Sequence, residues 1–293
     1  MSMRVTERSV TMTALSGLQA DLSALARTQQ QLSSGRRISR PSDDPTGTVS
    51  ALLTRSTMAA TQQNHRNAQD GLGWLGTADS ALSTVTSDLQ RIRTLLVQSQ
   101  NGTADASSQR AIAQEVDQLR QAVLSQANSQ YAGHPIFAGT AGVTQAYSAS
   151  GVYQGDAGAV VRQVSPTDRV QVALTGTQVF GPSGADLHAV LAQVVSDLTN
   201  NPSGVAGDIT ALDAAMTRVQ DAQTQVGALY NRVQTATQVA SDSLITQKTQ
   251  LSDVEDADLA ETMTNMQMQQ VAYQAALTAT AKAIQPSLLD FLK

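Results

Sequence analysis

The sequence predicts a mainly α-helical chain with a small inserted β-rich domain. Apolar residues alternate steps of three and four over most of the length, the mark of helices with one apolar seam. That spacing vanishes after Gly133, where Gly, Val and aromatic residues take over, and it returns at Leu187. The composition is 41% hydrophobic but only 3% aromatic, so the core must be built from Leu, Val, Ala and Met. Those side chains suit helix-to-helix seams better than a large sandwich, which usually wants aromatic bulk.

The first helix is expected over residues 5–34. It carries Leu15, Leu18, Leu22, Leu25, Gln29 and Leu32 at coiled-coil spacing. Gly35 is its stop signal, suited to a left-handed backbone past a helix end, and Arg36 and Arg37 lie near the negative pole of the helix dipole. The link that follows holds Arg40, Pro41, Asp43, Asp44 and Pro45. Asp44 before Pro45 reads as an N-cap followed by proline at the first helical position. No His or third carboxylate stands nearby, so capping is a better reading of Asp43 and Asp44 than an acid–base pair or a metal foot. Gly35, Arg40, Pro41, Asp43, Asp44 and Pro45 together read as a joint between a terminal arm and a helical rod.

A second helix is expected over residues 46–67, broken or bent by Gly71 and Gly73 around Trp74. A third carries Leu75, Ala78, Leu82, Val85, Leu89, Ile92 and Leu96 and ends at the turn dipeptide Asn101-Gly102. A fourth carries Ile112, Val116, Leu119 and Val123. Residues 160–164 and 170–174 read as strands joined by the turn Ser165-Pro166-Thr167-Asp168. Helical spacing resumes in Leu187, Leu191, Val194 and Leu198, and Asn200-Asn201-Pro202 stops it. A seam over residues 212–254 then predicts a rod about 60 Å long.

From Val254 the next seam residue, Leu259, is five on rather than four, which marks a joint, with Ser252 and Glu255 fitting a capping box. The last helix carries Leu259, Met263, Met266, Gln270, Tyr273, Leu277, Thr280 and Ile284. The expected domains are terminal arms over 1–40 and 256–293, a rod over 41–135 and 185–255, and a β-rich middle over 136–184. The two terminal seams fit either ordinary bundle packing or packing into an assembly.

Several function classes fall away. The absence of cysteine excludes a disulfide scaffold, thiolate metal sites and a Cys nucleophile. A net charge of −5 gives no whole-chain attraction to nucleic acid. His65, His134 and His188 are isolated, and the Gly-rich stretch 138–142 lacks the Lys-Ser/Thr of a phosphate loop. No catalytic constellation, metal site or cofactor site is expected. Residues 1–9 lack the apolar core of a cleaved export signal, and no run reaches the length of a bilayer span, so no membrane insertion is expected.

Particular motifs point further. Leu32-Ser33-Ser34-Gly35-Arg36-Arg37-Ile38 with Ser42-Asp43-Asp44-Pro45 resembles the N-terminal signature of bacterial flagellins. The stretches 67–71, 89–95 and 101–103, and 251–258 resemble further flagellin blocks, so the resemblance covers about three quarters of the chain. The prolines of Arg40-Pro41-Ser42-Asp43-Asp44-Pro45, the stretch 131–139 and the endings 273–277 and 287–292 are more similar to the hook-associated, hook–filament junction branch of that superfamily.

The resemblance implies an elongated flagellin-like rod with paired helical arms and no enzymatic activity. It implies a structural component of the bacterial flagellum at the hook–filament junction, on which flagellin assembles and which swimming motility needs. A short filament flagellin is the alternative. It further implies export through the flagellar type III channel to an extracellular position. The implied partners are copies of itself in a ring, the first junction protein, flagellin and an export chaperone on the C-terminal arm.

Overall fold

A computed structural model of the chain describes residues 3–100 and 106–284. The expected turn at Asn101-Gly102 and the ending 287–292 lie outside the described residues. In chain order the elements are α1 (Met3–Ser34), α2 (Pro45–Ser99), α3 (Ala106–Ala127), β1 (Gln130–Tyr131), β2 (His134–Pro135), β3 (Val161–Gln163), β4 (Arg169–Gln171), α4 (Gly176–Phe180), α5 (Leu187–Asn200), α6 (Val205–Glu255) and α7 (Leu259–Ile284). The chain divides into two compact units, residues 60–244 and residues 1–59 with 245–293.

In the first of these units the apolar faces of four helices meet. Leu75, Leu82, Leu89, Ile92 and Leu96 of α2 are buried at the expected spacing. Val116 and Val123 of α3, Leu187, Leu191 and Val194 of α5, and Leu212, Val219, Val226 and Val233 of α6 complete the same core. Burying each such side chain contributes roughly 1.5–3 kcal/mol.

The expected break near Gly71 and Gly73 does not occur, and α2 runs unbroken from Pro45 to Ser99. A glycine in a helix costs about 1 kcal/mol relative to alanine. Here close packing offsets that cost. A Cβ on Gly71 would stand 2.9 Å from Val172 Cγ1, and one on Gly73 would collide with the Tyr131 ring. Trp74, beside them, is buried edge-on to Tyr131 at 5.9 Å and acts as a packing anchor.

The middle segment holds less strand than the sequence suggests. β3 and β4 pair antiparallel over three residues each, and β1 pairs with β2 over two. Much of the rest is held by side chains bonding to backbone. The Asn128 side chain gives its Nδ2 to Tyr147 O at 3.0 Å and accepts from Tyr147 N at 2.8 Å. Asp156 accepts from Thr140 N, Thr140 Oγ1 and Gly158 N, bonds that hold its carboxyl below the usual carboxylate range. The β3–β4 hairpin is tied to the helices by Arg162–Asp70 and Arg232–Asp168, both 2.7 Å. Its aromatic neighbours Phe137, Tyr147 and Phe180 belong to the same core as the helices.

His188 lies inside that core, 5% exposed, with its ring 4.5 Å from Tyr147 and 5.6 Å from Phe180. Its Nε2 has no hydrogen-bond partner among the described residues. Burial pushes its pKa from the ordinary 6.5 down to about 4, against the opposing pull of the Asp186 carboxylate. Because the folded chain holds fewer protons at His188 than the unfolded chain, stability falls as pH drops. The contribution is complete above about pH 6.5 and lost toward pH 4, amounting to about 3 kcal/mol. Denaturant midpoints measured from pH 7 to pH 4 should therefore decline, and His188→Leu should flatten much of that decline. An equally steep decline in the variant would rule His188 out as its source.

Candidate assembly site

The second unit is built around the turn that follows α1. Gly35 has φ +68°, and its N–H donates to Gln31 O at 2.8 Å, closing the helix as its stop signal predicts. No atom would touch an added Cβ there, so the demand for glycine is conformational rather than steric. The chain then crosses the end of α6. Ala257 N donates to Gly35 O at 3.0 Å, and Arg37 N and Ile38 N both donate to Glu255 O, at 2.7 and 3.4 Å. Arg36 and Asp256 form an isolated antiparallel bridge in this crossing.

Side chains fix the crossing from both sides. Arg37 reaches Val254 O at 2.8 Å and Asp44 at 3.4 Å. Glu255 is 7% exposed and pairs with Arg55 at 2.5 Å. A carboxylate this buried needs such a partner, since losing the half-exposed Arg55 would leave its charge uncompensated. Asp44 Oδ1 accepts from Gly47 N at 2.8 Å, so the expected N-cap of α2 forms, with Pro45 as its first residue. Asp43 Oδ2 accepts from Ser39 N and Arg40 N, which makes Asp43 a turn-closing group. Arg40 and Pro41 are exposed in the link.

One expected feature is replaced. Ser252 and Glu255 do not form a capping box, because α6 continues through both: Asp256 N still donates to Ser252 O at 2.8 Å. The cap of α7 is Asp258, whose Oδ1 accepts from Ala260 N at 2.9 Å and Glu261 N at 3.2 Å. The Asp-x-x-Glu pattern of Asp258 and Glu261 was visible in the sequence. Two further residues were missed. Arg55 lies 200 positions from Glu255, beyond any local pattern. A Cβ on Gly47 would stand 2.5 Å from Asp44 Oδ2 and 2.6 Å from Ile38 Cδ1, so a larger residue there would have to displace the Asp44 cap or the buried Ile38.

Beyond the joint, α1 packs against α7. Gly35 meets Ala257 at one end and Thr28 Oγ1 donates to Gln269 Oε1 at 2.8 Å further along, so the two helices run antiparallel. Among the described residues the covered positions on α1 include Ala14, Leu18, Asp21, Leu25, Thr28 and Leu32, with Ala24 and Gln31 beside them. On α7 they include Thr262, Met266, Gln269, Tyr273, Ala276 and Thr280, with Asn265 beside them. The main line of each set steps by three and four.

The apolar residues picked out in the sequence are thereby divided. Leu18, Leu25, Leu32, Met266 and Tyr273 are half-buried along the paired faces. Leu15 and Leu22 are 55% and 52% exposed, and Leu259, Met263 and Leu277 are exposed with them, joined by Met12, Met268 and Val271. Small and polar residues fill the remaining inner positions. The Ile284 side chain lies outside the described residues.

Comparison with known proteins gives a consistent setting. Residues 5–142 match the bacterial flagellin N-terminal helical region, and residues 209–292 match the bacterial flagellin C-terminal helical region. A flagellin of Bacillus subtilis is 28% identical over 299 residues, covering 97% of each chain. Flagellar hook-associated protein 3 of Escherichia coli is 26% identical over 276 residues, covering 85% of this chain and 87% of that one. Among solved structures, FlgL of Bacillus cereus has the same fold, with a TM-score of 0.61 at 19% identity over 68% of this chain and 99% of that one.

Gly35→Val should strain the joint by about 1–2 kcal/mol, the cost of a left-handed backbone for an L side chain. Only the unit containing α1 and α7 should be affected. Hydrogen exchange should quicken in α1 and α7 while Leu82, Leu89 and Val219 keep their protection. Unchanged exchange in α1 would show that the turn does not need glycine.

Proposed function

The chain belongs to the bacterial flagellin family, and from that premise we propose that it is a hook-associated structural protein seated at the hook–filament junction. On this reading flagellin assembles on it, and swimming motility requires it. The family is one of structural flagellar proteins. The observation that carries the reading is the set of large apolar side chains left exposed on both arms. Met12, Leu15 and Leu22 on α1, and Leu259, Met263, Met268 and Val271 on α7, remain exposed after the arms have paired. Large apolar side chains gathered on an exposed element mark interaction surfaces. Copies packed about an axis would cover them.

The proposed partners follow from that position. Copies of the chain form a ring, the first hook-associated protein lies on one side and flagellin on the other, and an export chaperone shields the C-terminal arm before export. The site of action is the extracellular flagellum. Among the described residues no helix is long and apolar enough to cross a membrane. Similarity to hook-associated protein 3 supports the junction over the filament. The flagellin of Bacillus subtilis, similar over nearly its whole length, favours a second reading as a short filament flagellin.

Deleting the gene in its source bacterium distinguishes the two. The junction reading predicts hooks without filaments, flagellin released into the medium and loss of swimming, with antibody label confined to the hook tip in the complemented strain. Label running along the filament would replace the junction reading with the flagellin one. Normal filaments and swimming in the deletion strain would remove both.

A further inference from the structure

We propose that Met263 and Met268 of α7 are a redox-sensitive modification site. Oxidation of their thioethers to sulfoxides by a two-electron oxidant such as hydrogen peroxide bars an unassembled chain from self-association without unfolding it. The effect on assembly rests on the self-association proposed above; the site rests on where the sulfurs lie.

The chain has eight methionines and no cysteine, so no thiol of its own competes for such an oxidant. Three of the eight fall within six positions of α7, at 263, 266 and 268. Their surroundings differ. Met266 lies on the line that packs against α1 and is half-buried. Met263 and Met268 are 49% and 58% exposed. Five residues set them about 140° apart round a helix of 3.6 residues per turn, so they flank the α1 contact on opposite sides. Met12 is exposed as well, whereas Met58 and Met216 are half-buried, Met216 against the core of the other unit. An oxidant in water reaches the exposed thioethers first.

A lone pair on the methionine sulfur attacks one peroxide oxygen, and the O–O bond breaks as the S–O bond forms. The departing hydroxide takes the proton of the transferred oxygen and leaves as water. Sulfur is oxidised by two electrons and the peroxide is reduced by two. A flexible apolar side chain becomes a polar, chiral one. On an exposed face water satisfies the new oxygen, so the folded unit tolerates it. Enclosed between apolar surfaces it has no partner, and the contact is weakened. A sulfoxide at Met266 would face α1 and loosen the arm pair itself, so the cover over Met266 keeps the modified chain folded. Methionine sulfoxide reductases, one for each epimer, reverse the change with electrons from a thiol donor.

The test treats the purified full chain with hydrogen peroxide, follows each methionine by peptide mass, and measures self-association by sedimentation before and after. Met263 and Met268 should oxidise several-fold faster than Met266 and Met216, with helix content unchanged by circular dichroism. Self-association should then weaken roughly tenfold, the effect of enclosing S–O groups where apolar ones sat. The two reductases with dithiothreitol should restore it. Met263→Leu with Met268→Leu, compared with its own untreated sample, should lose no self-association to the oxidant, although Met12 is still oxidised in it. Met263→Gln with Met268→Gln places polar groups at both positions without oxidant and should reproduce the loss. The proposal is overturned if Met266 oxidises as fast as Met263 and Met268, if the oxidised chain self-associates undiminished, or if the leucine variant stays sensitive. An untreated wild-type chain that does not self-associate would overturn the self-assembly reading and the effect drawn from it, while the order of oxidation is decided by mass on the same samples.

Discussion

The carbonyl of Glu255 is the point on which the unit formed by the two termini depends. It accepts from Arg37 N and Ile38 N, and Ala257 N answers by donating to Gly35 O. Each such bond contributes only about 1 kcal/mol net. Their larger effect is geometric. They lock residues 35–38 against residues 255–257, and so set the register in which α1 lies along α7. Gly35 supplies the left-handed turn that brings the chain there, and the ion pair from the exposed Arg55 to the buried Glu255 carboxylate holds the accepting residue in place.

That register decides which faces of the arms are covered. With Gly35 beside Ala257 and Thr28 beside Gln269, the inner faces mix leucines with Ala14, Thr28, Thr262 and Ala276. Small residues allow the two helices to approach, and the Thr28–Gln269 bond satisfies the polar groups that approach encloses. Leucines and methionines on the other faces of the two helices are left exposed. A single terminal unit thus has one seam for its own closure and further apolar side chains left exposed, which the proposed assembly would cover. The flagellin family match spans both arms, which places this division of faces in the part of the chain the family shares.

Much of this was legible in the sequence. The seam of α2 from Leu75 to Leu96, the stop at Gly35, the Asp44–Pro45 start and the joint before Leu259 all rest on short-range spacing or on single-residue preferences. What escaped rests on partners far away in the chain. Gly71 and Gly73 look like helix breakers until Val172 and Tyr131 are brought against them. Arg55 and Glu255 are unremarkable apart. Periodicity found the leucines of α1, but leucines at 15, 18, 22 and 25 span two adjacent stripes, and spacing alone does not say which one a partner helix will take. The middle segment looked richer in strand because its Val-rich runs suit strands, whereas capping side chains such as Asn128 and Asp156 hold much of its backbone.

Disulfide cross-linking in the otherwise cysteine-free chain tests the division of the two faces most directly. Thr28→Cys with Gln269→Cys should close within one chain at any dilution, while Leu22→Cys alone should bond only between chains and only as copies assemble. The account is contradicted if the first pair stays open, or if Leu22→Cys forms no bond between assembled chains.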